Sequence, residues 1–140
     1  MYNFLLSFHG LLALLLLIAL PLTLLLSFLR HHATKPMSLV VTVMAHLQLL
    51  LGLYLYFGGS NGMQLFETGE AMSNSAFRFY AVEHITTMIL AIVLLTVARS
   101  KVKKTWKEQS SSRAPFYWYL AGFVLLLSRV PWDRWPFIGN

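Results

Sequence analysis

Residues 4–29 read FLLSFHGLLALLLLIALPLTLLLSFL, an apolar run interrupted only by Ser7, His9, Thr23 and Ser27. A helix crosses the hydrocarbon core of a bilayer in about 20 residues, so this run is long enough to span with tilt. Its first charged residue, Arg30, follows the run. A cleaved leader would instead carry a charged start, a shorter apolar centre and a small-residue cleavage site. A retained first helix is therefore expected, with Pro21 as a candidate kink.

Three further runs follow at about 37–57, 77–98 and 115–130. The segment between Gly58 and Ser75 is rich in Gly, Asn and Ser and reads as a loop with a short interfacial helix near Met63 to Phe66. Pro131 stops the last run. Short connections favour an up-down-up-down arrangement. The expected fold is all-α: an integral membrane antiparallel four-helix bundle, one transmembrane domain over residues 1–140, with no internal repeat.

Composition agrees. The chain is 57% hydrophobic and 11% charged, against about 25% charged residues in a soluble domain. It has no cysteine, which excludes disulfides, iron–sulfur clusters, thiolate ligation and covalent haem attachment. The net charge of +6 is concentrated in two segments, Arg30 to Lys35 and Arg99 to Arg113. The segment between the second and third runs has no Lys or Arg. The positive-inside rule then puts both basic segments in the cytoplasm and both termini outside, as in a bacterial inner (cytoplasmic) membrane. Arg129 and Arg134 oppose this mildly. Trp132, Trp135 and Phe137 suit a membrane boundary. No nucleic-acid motif is present, and the lipid bilayer is the expected partner.

Three runs each carry one histidine: His9, His46 and His84. Ionisable side chains inside a membrane are costly and usually face a bundle interior where they act. Imidazole is a common metal ligand and the usual axial ligand of haem iron. One such histidine commonly does no more than bond a neighbouring helix; three on three helices point to a buried cofactor, with b-type haem the first expectation. His31 and His32, in a basic loop, read as solvated. Small or hydroxylated faces turn inward in membrane bundles. The His84 face holds Thr87, Met88 and Ala91, and the His9 face holds Ala13 and Thr23. His46 shares a face with Thr42, Leu49 and Leu53, while Gln48 lies nearly opposite, with Ala45 and Gly52 on its side.

Depth separates the three. At about 1.5 Å per residue, His46 lies roughly 14 Å, His84 roughly 21 Å and His9 roughly 30 Å from the cytoplasmic boundary. His84 is thus the shared member of any pair. Arg78, about 9 Å further out than His84, suits a haem propionate, as does Arg129. Glu83 reads as a partner of Arg78 or Arg129, an imidazole-orienting group, or a proton carrier near a quinone.

The stretches His46-Leu47-Gln48-Leu49-Leu50-Leu51-Gly52-Leu53-Tyr54-Leu55-Tyr56-Phe57 and Arg78-Phe79-Tyr80-Ala81-Val82-Glu83-His84 resemble small four-span bacterial membrane proteins labelled "cytochrome B". The start, through His9, and the end, Val130-Pro131-Trp132, fit the same pattern, so the resemblance covers nearly the whole chain. It departs after His9, where Leu11-Leu12-Ala13-Leu14 replaces a Gly-Leu-Arg-Trp-like run. The resemblance implies haem b and membrane electron transfer, with a quinone or respiratory-chain component as exchange partner. Its strongest motif favours His46 as the partner of His84; the diagonal placement of the first and third helices favours His9. Two other readings stand beside it: a non-enzymatic assembly or scaffold subunit, and a non-haem metal site built from His9, His46, His84 and Glu83.

Overall fold

The computed structural model describes residues 1–134, and every regular element among them is helical. Trp135, Pro136 and Phe137, expected at the membrane boundary, lie outside the described residues. Helix α1 is Tyr2–Phe28, α2 is Thr34–Gly58, and α3 is the short Gln64–Glu67, where the interfacial turn is expected. Helix α4 (Ser75–Arg78), a π-helical turn (Phe79–Glu83) and α5 (His84–Lys107) then run end to end as one 33-residue helical rod. Helix α6 is Ala114–Ser128, and a 3₁₀ turn, Trp132–Arg134, follows it.

Helix α2 begins three residues before the expected Met37, and the largest shift is at the end of the third helix. The third helix continues past Ala98 to Lys107. Lys and Arg are good helix formers and suit the negative end of the helix dipole, and buried Ala98 and Val102 keep the inward stripe going. The fourth helix, Ala114–Ser128, lies close to the expected 115–130. Its 15 residues give about 22 Å, less than a full crossing requires. Three helices, Tyr2–Phe28, Thr34–Gly58 and Ser75–Lys107, are long and apolar enough to cross a membrane.

Each long helix packs against its sequence neighbour, and α6 closes the ring against α1, so α1 and α5 lie diagonally. Over part of each facing helix the buried positions recur every three or four residues: Thr34, Ser38, Val41 and Ala45 on α2, and Ala91, Leu95, Ala98 and Val102 on α5; Leu55 and Ile92 are buried besides. This alternation of three and four is the seam of a left-handed helix pair. The ring is antiparallel: Gln48 late in α2 reaches His9 early in α1, and Arg99 late in α5 reaches Ser38 early in α2. The outward faces stay apolar, with Ile18, Leu50, Val93 and Val124 exposed. A helix apolar on all sides suits lipid contact.

Candidate functional site

His84 opens α5 immediately after the π turn, and its backbone N–H bonds to the Phe79 carbonyl, five residues back. A π turn adds a residue to one turn of helix and frees a carbonyl from the regular ladder; such turns recur at functional sites. Here the Ala81 carbonyl accepts a hydrogen bond from the Tyr56 hydroxyl of α2 at 3.1 Å. Ala81 itself is buried, in a cluster with Leu65 and Ala71.

The His84 ring is half-buried. Its Nδ1 lies 2.8 Å from the Arg129 carbonyl, at the end of α6. A carbonyl only accepts, so Nδ1 carries the proton and the neutral ring keeps its lone pair on Nε2. Phe79 lies against the same imidazole, with ring centroids 5.9 Å apart.

His9 occupies the diagonal helix. Its carbonyl accepts from Gln48 Nε2 at 2.9 Å, and its ring lies on Gly52: a β-carbon there would sit 3.3 Å from His9 Cε1. His9 Nδ1 is buried without a hydrogen-bond partner, as is Gln48 Oε1. Helix geometry puts His9 and His84 at one level. Arg99 Nη1 bonds Ser38 Oγ and levels the two helices. Gly52, which carries the His9 ring, is fourteen residues beyond Ser38, or about 21 Å. His84 is fifteen residues from Arg99, or about 22 Å.

The height expected for His9 is too great because the C-terminal end of α1 lies lower in the bundle. Phe28 packs on Phe116 with centroids 5.5 Å apart, about one turn below Tyr119.

His46 stands apart from this pair. It is exposed on the outward face of α2, and its Nδ1 donates to the Thr42 carbonyl of its own helix at 2.7 Å. It lies only about 12 Å above Ser38. The structure therefore brings His9, and not His46, to the level of His84. The inward face of α2 is that of Ala45, Gln48 and Gly52. Among the described residues no three His, Cys, Asp or Glu side chains gather as a metal-ion site, so His9, His46, His84 and Glu83 do not form one cluster. His31 and His32 are exposed in the loop, their rings 4.1 Å apart.

Glu83 sits between the two arginines. Arg78 Nε lies 2.9 Å from its Oε1 and Arg129 Nε 3.4 Å from its Oε2. Both arginines thus already have an anion. Arg78, Phe79, Tyr80 and Glu83 line an open cleft of about 360 Å³ that Asp133 also lines. Two carboxylates therefore stand beside two guanidiniums at this end.

The sequence places Gly52 on the Gln48 face but gives no role to Tyr56 or Asp133. The signal for Gly52 was the spacing Ser38, Ala45, Gly52, a stripe of small residues at seven-residue intervals. The opposite end holds a second polar group. Arg99 also bonds the Lys35 carbonyl at 3.0 Å, and the Tyr119 side chain is fully buried.

No protein-family model, curated protein or solved structure matches this chain.

Proposed function

We propose that this chain is a membrane b-type cytochrome that crosses the bilayer four times, with both basic segments cytoplasmic, and transfers electrons through non-covalently held haem. The carrying observation is the pairing in height of His9 and His84 on diagonal helices, with the His84 lone pair left on Nε2. The donor set fits the group: one imidazole is oriented by a carbonyl, as metal-bound histidines usually are, and the other has a buried nitrogen without a partner. His84 and His9 would hold haem b; when bound, the haem supplies a one-electron couple between ferric and ferrous iron.

The chain's own residues do the rest. The Arg129 carbonyl fixes the His84 tautomer. Gly52 gives His9 room beside α2. Glu83 clamps Arg78 to Arg129 and so steadies the end of α6 that carries that carbonyl. Spare guanidinium N–H groups of Arg78 and Arg129 remain for haem carboxylates. The resemblance to the small four-span proteins labelled "cytochrome B" supports haem b and membrane electron transfer, though its strongest motif favours His46; a quinone or respiratory-chain component is the proposed exchange partner.

A second reading also has an observation in its favour. Gln48 and His84 each donate to a carbonyl of another helix, which is what polar residues of a purely structural bundle do. Absorbance of the purified protein, oxidised and reduced, separates the two. A Soret band that shifts on reduction, with sharp low-spin visible bands, is the expected result. Protein that purifies folded without a Soret band, and takes up none when haem is supplied, leaves the scaffold reading standing.

A further inference from the structure

The basic end of the bundle holds a small pocket. Ser27 of α1, Thr34 of α2, Thr105 and Trp106 of α5, and Ser112 just ahead of α6 line it together with Arg30. All six side chains can donate a hydrogen bond, and none is a carboxylate. The pocket encloses about 20 Å³, room for one oxygen-sized atom. Ser27 and Thr34 are buried, while Arg30 and Ser112 are exposed, so it runs from a buried floor to an open mouth. Two features here are unfavourable in the free protein. Thr34 is 4% exposed, and its Oγ1 is buried without a hydrogen-bond partner; an unpaired buried hydroxyl costs stability. Arg30 stands in the left-handed region, with φ 57°. Its N–H bonds the Ser27 carbonyl and the His31 N–H bonds the Leu26 carbonyl, a helix ending that usually has glycine where Arg30 stands. A residue with a β-carbon is strained there. The ion pairs among the described residues are those of Glu83 with Arg78 and Arg129 and of Glu108 with Lys104, so Arg30 has no acidic partner.

Arg30→Gly and Thr34→Val would remove both costs, so the stability of the free chain explains neither side chain. An oxyanion explains both. We propose that this pocket binds a phosphate group, either the headgroup phosphate of an anionic phospholipid or free phosphate. One oxygen enters the pocket and accepts from the Thr34 hydroxyl. Two others, at the mouth, meet the fork of the Arg30 guanidinium. A carboxylate has only two oxygens, so with one in the pocket it leaves a single oxygen for a guanidinium that binds two. The position suits a phosphate as well. Arg30 is the first charge after the apolar run of α1, and Lys35, Lys101, Lys103 and Lys107 share this end. A basic segment beside a membrane helix draws anionic lipid to it. The site rests on no part of the haem reading.

Thermal unfolding of the purified protein in dodecyl maltoside tests this, because a ligand of the folded state raises the melting temperature. Dioleoyl phosphatidylglycerol, sodium phosphate, and sodium chloride at matching ionic strength are each added. A rise of several degrees with the lipid identifies a headgroup; a rise with phosphate beyond that with chloride identifies the free ion. Without either ligand, Arg30→Gly and Thr34→Val should melt at or above the wild-type temperature. The ligand-dependent rise should vanish in Arg30→Gly, fall by more than half in Thr34→Val and return in Thr34→Ser, which restores the hydroxyl. Lys103→Gln removes a charge from the same end outside the pocket and should keep the full rise. No rise with lipid or phosphate overturns the proposal, as does a full rise in both Arg30→Gly and Thr34→Val. An equal loss in Lys103→Gln also overturns it, since general basic charge would then suffice. Should Arg30→Gly fail to accumulate, Thr34→Val against Thr34→Ser keeps the test decisive.

Discussion

The Nδ1–H of His84 and the carbonyl of Arg129 are joined across 2.8 Å, from the first residue of α5 to the end of α6. The bond links the two most extensively packed helices and fixes which nitrogen of the ring remains basic. The same arginine extends its guanidinium to Glu83, the residue before His84. Backbone and side chain of Arg129 therefore hold two successive residues of the other helix. Pro131, which has no N–H to continue α6, and the Trp132 indole, which donates to the Leu127 carbonyl at 3.2 Å, keep the end of α6 in place.

Ligation is the first prediction. His84→Ala and His9→Ala should each abolish the low-spin haem spectrum. His46→Ala should leave it unchanged, because His46 faces outward and bonds only its own helix. Visible absorbance of the three purified variants decides it. Low-spin bands that disappear with His46→Ala and persist with His9→Ala would reverse the assignment.

Gly52 gives a test in which neither histidine is altered. A β-carbon there would meet His9 Cε1 at 3.3 Å, so Gly52→Ala needs a shift of a few tenths of an ångström. Ala is favoured over Gly by about 1 kcal/mol within a helix, and thermal stability in detergent should hold or rise. Gly52→Leu has no such latitude and should push the His9 ring away from His84. The expected outcome is a folded protein with its low-spin signal lost. A Gly52→Leu protein with an unaltered spectrum would show that His9 does not depend on this contact.

Much of the bundle was legible in the residues. The long apolar runs marked the helices, and short connections implied antiparallel neighbours with α1 diagonal to α5. Heights and faces were harder to read. Thr42 suggested an inward face for His46, because hydroxylated faces usually pack. Its hydroxyl instead donates to the Ser38 carbonyl of its own helix at 2.7 Å, so it needs no neighbour and says nothing about direction. The π turn leaves no mark in the residues, since 79–83 contain no Pro or Gly to signal a departure from regular helix. The end of the third helix was placed too early because its last two turns are charged, which ends an apolar run without ending a helix.

Charge around His84 should tune the redox potential in opposite directions. Glu83 is shared by Arg78 and Arg129. Removing a positive charge destabilises the electron-rich ferrous state, so Arg78→Gln should lower the midpoint potential; Glu83→Gln should raise it. All three side chains are partly exposed, and the loss of folding stability should stay near 0.5–1 kcal/mol. Potentiometric titration followed in the visible bands reads both shifts. Shifts of the same sign, or none, would place this cluster outside the electrostatic reach of the haem.

Tyr56→Phe isolates the π turn. It removes the donor to the Ala81 carbonyl and keeps the ring. A buried carbonyl left without its partner should cost about 1–3 kcal/mol. The expected result is a lower melting temperature in detergent, together with a changed spectrum, because restoring a regular turn would rotate Phe79 away from the His84 ring. A Tyr56→Phe protein with normal stability and spectrum would mean that the turn holds itself.

Topology follows from the two ends of the bundle. Arg30, Lys35, Arg99, Lys101, Lys103, Lys104, Lys107 and Arg113 belong to one end, with Glu108 as its one acidic residue. The other end holds Arg78, Arg129 and Arg134 with Glu67, Glu70, Glu83 and Asp133, so its charges nearly cancel. Arg78 and Arg129 are both bound to Glu83, and Lys and Arg near the helix ends set orientation. The basic end should face the cytoplasm and both termini the outside. The 15-residue α6 is the critical element, because without its crossing the C-terminus would stay on the cytoplasmic side. An alkaline phosphatase fused after Asn140, active only outside the cytoplasm, should be active. The same enzyme fused after Glu108 should be silent. Activity at Glu108 and silence at Asn140 would invert the whole orientation, and silence at both would show that α6 does not cross.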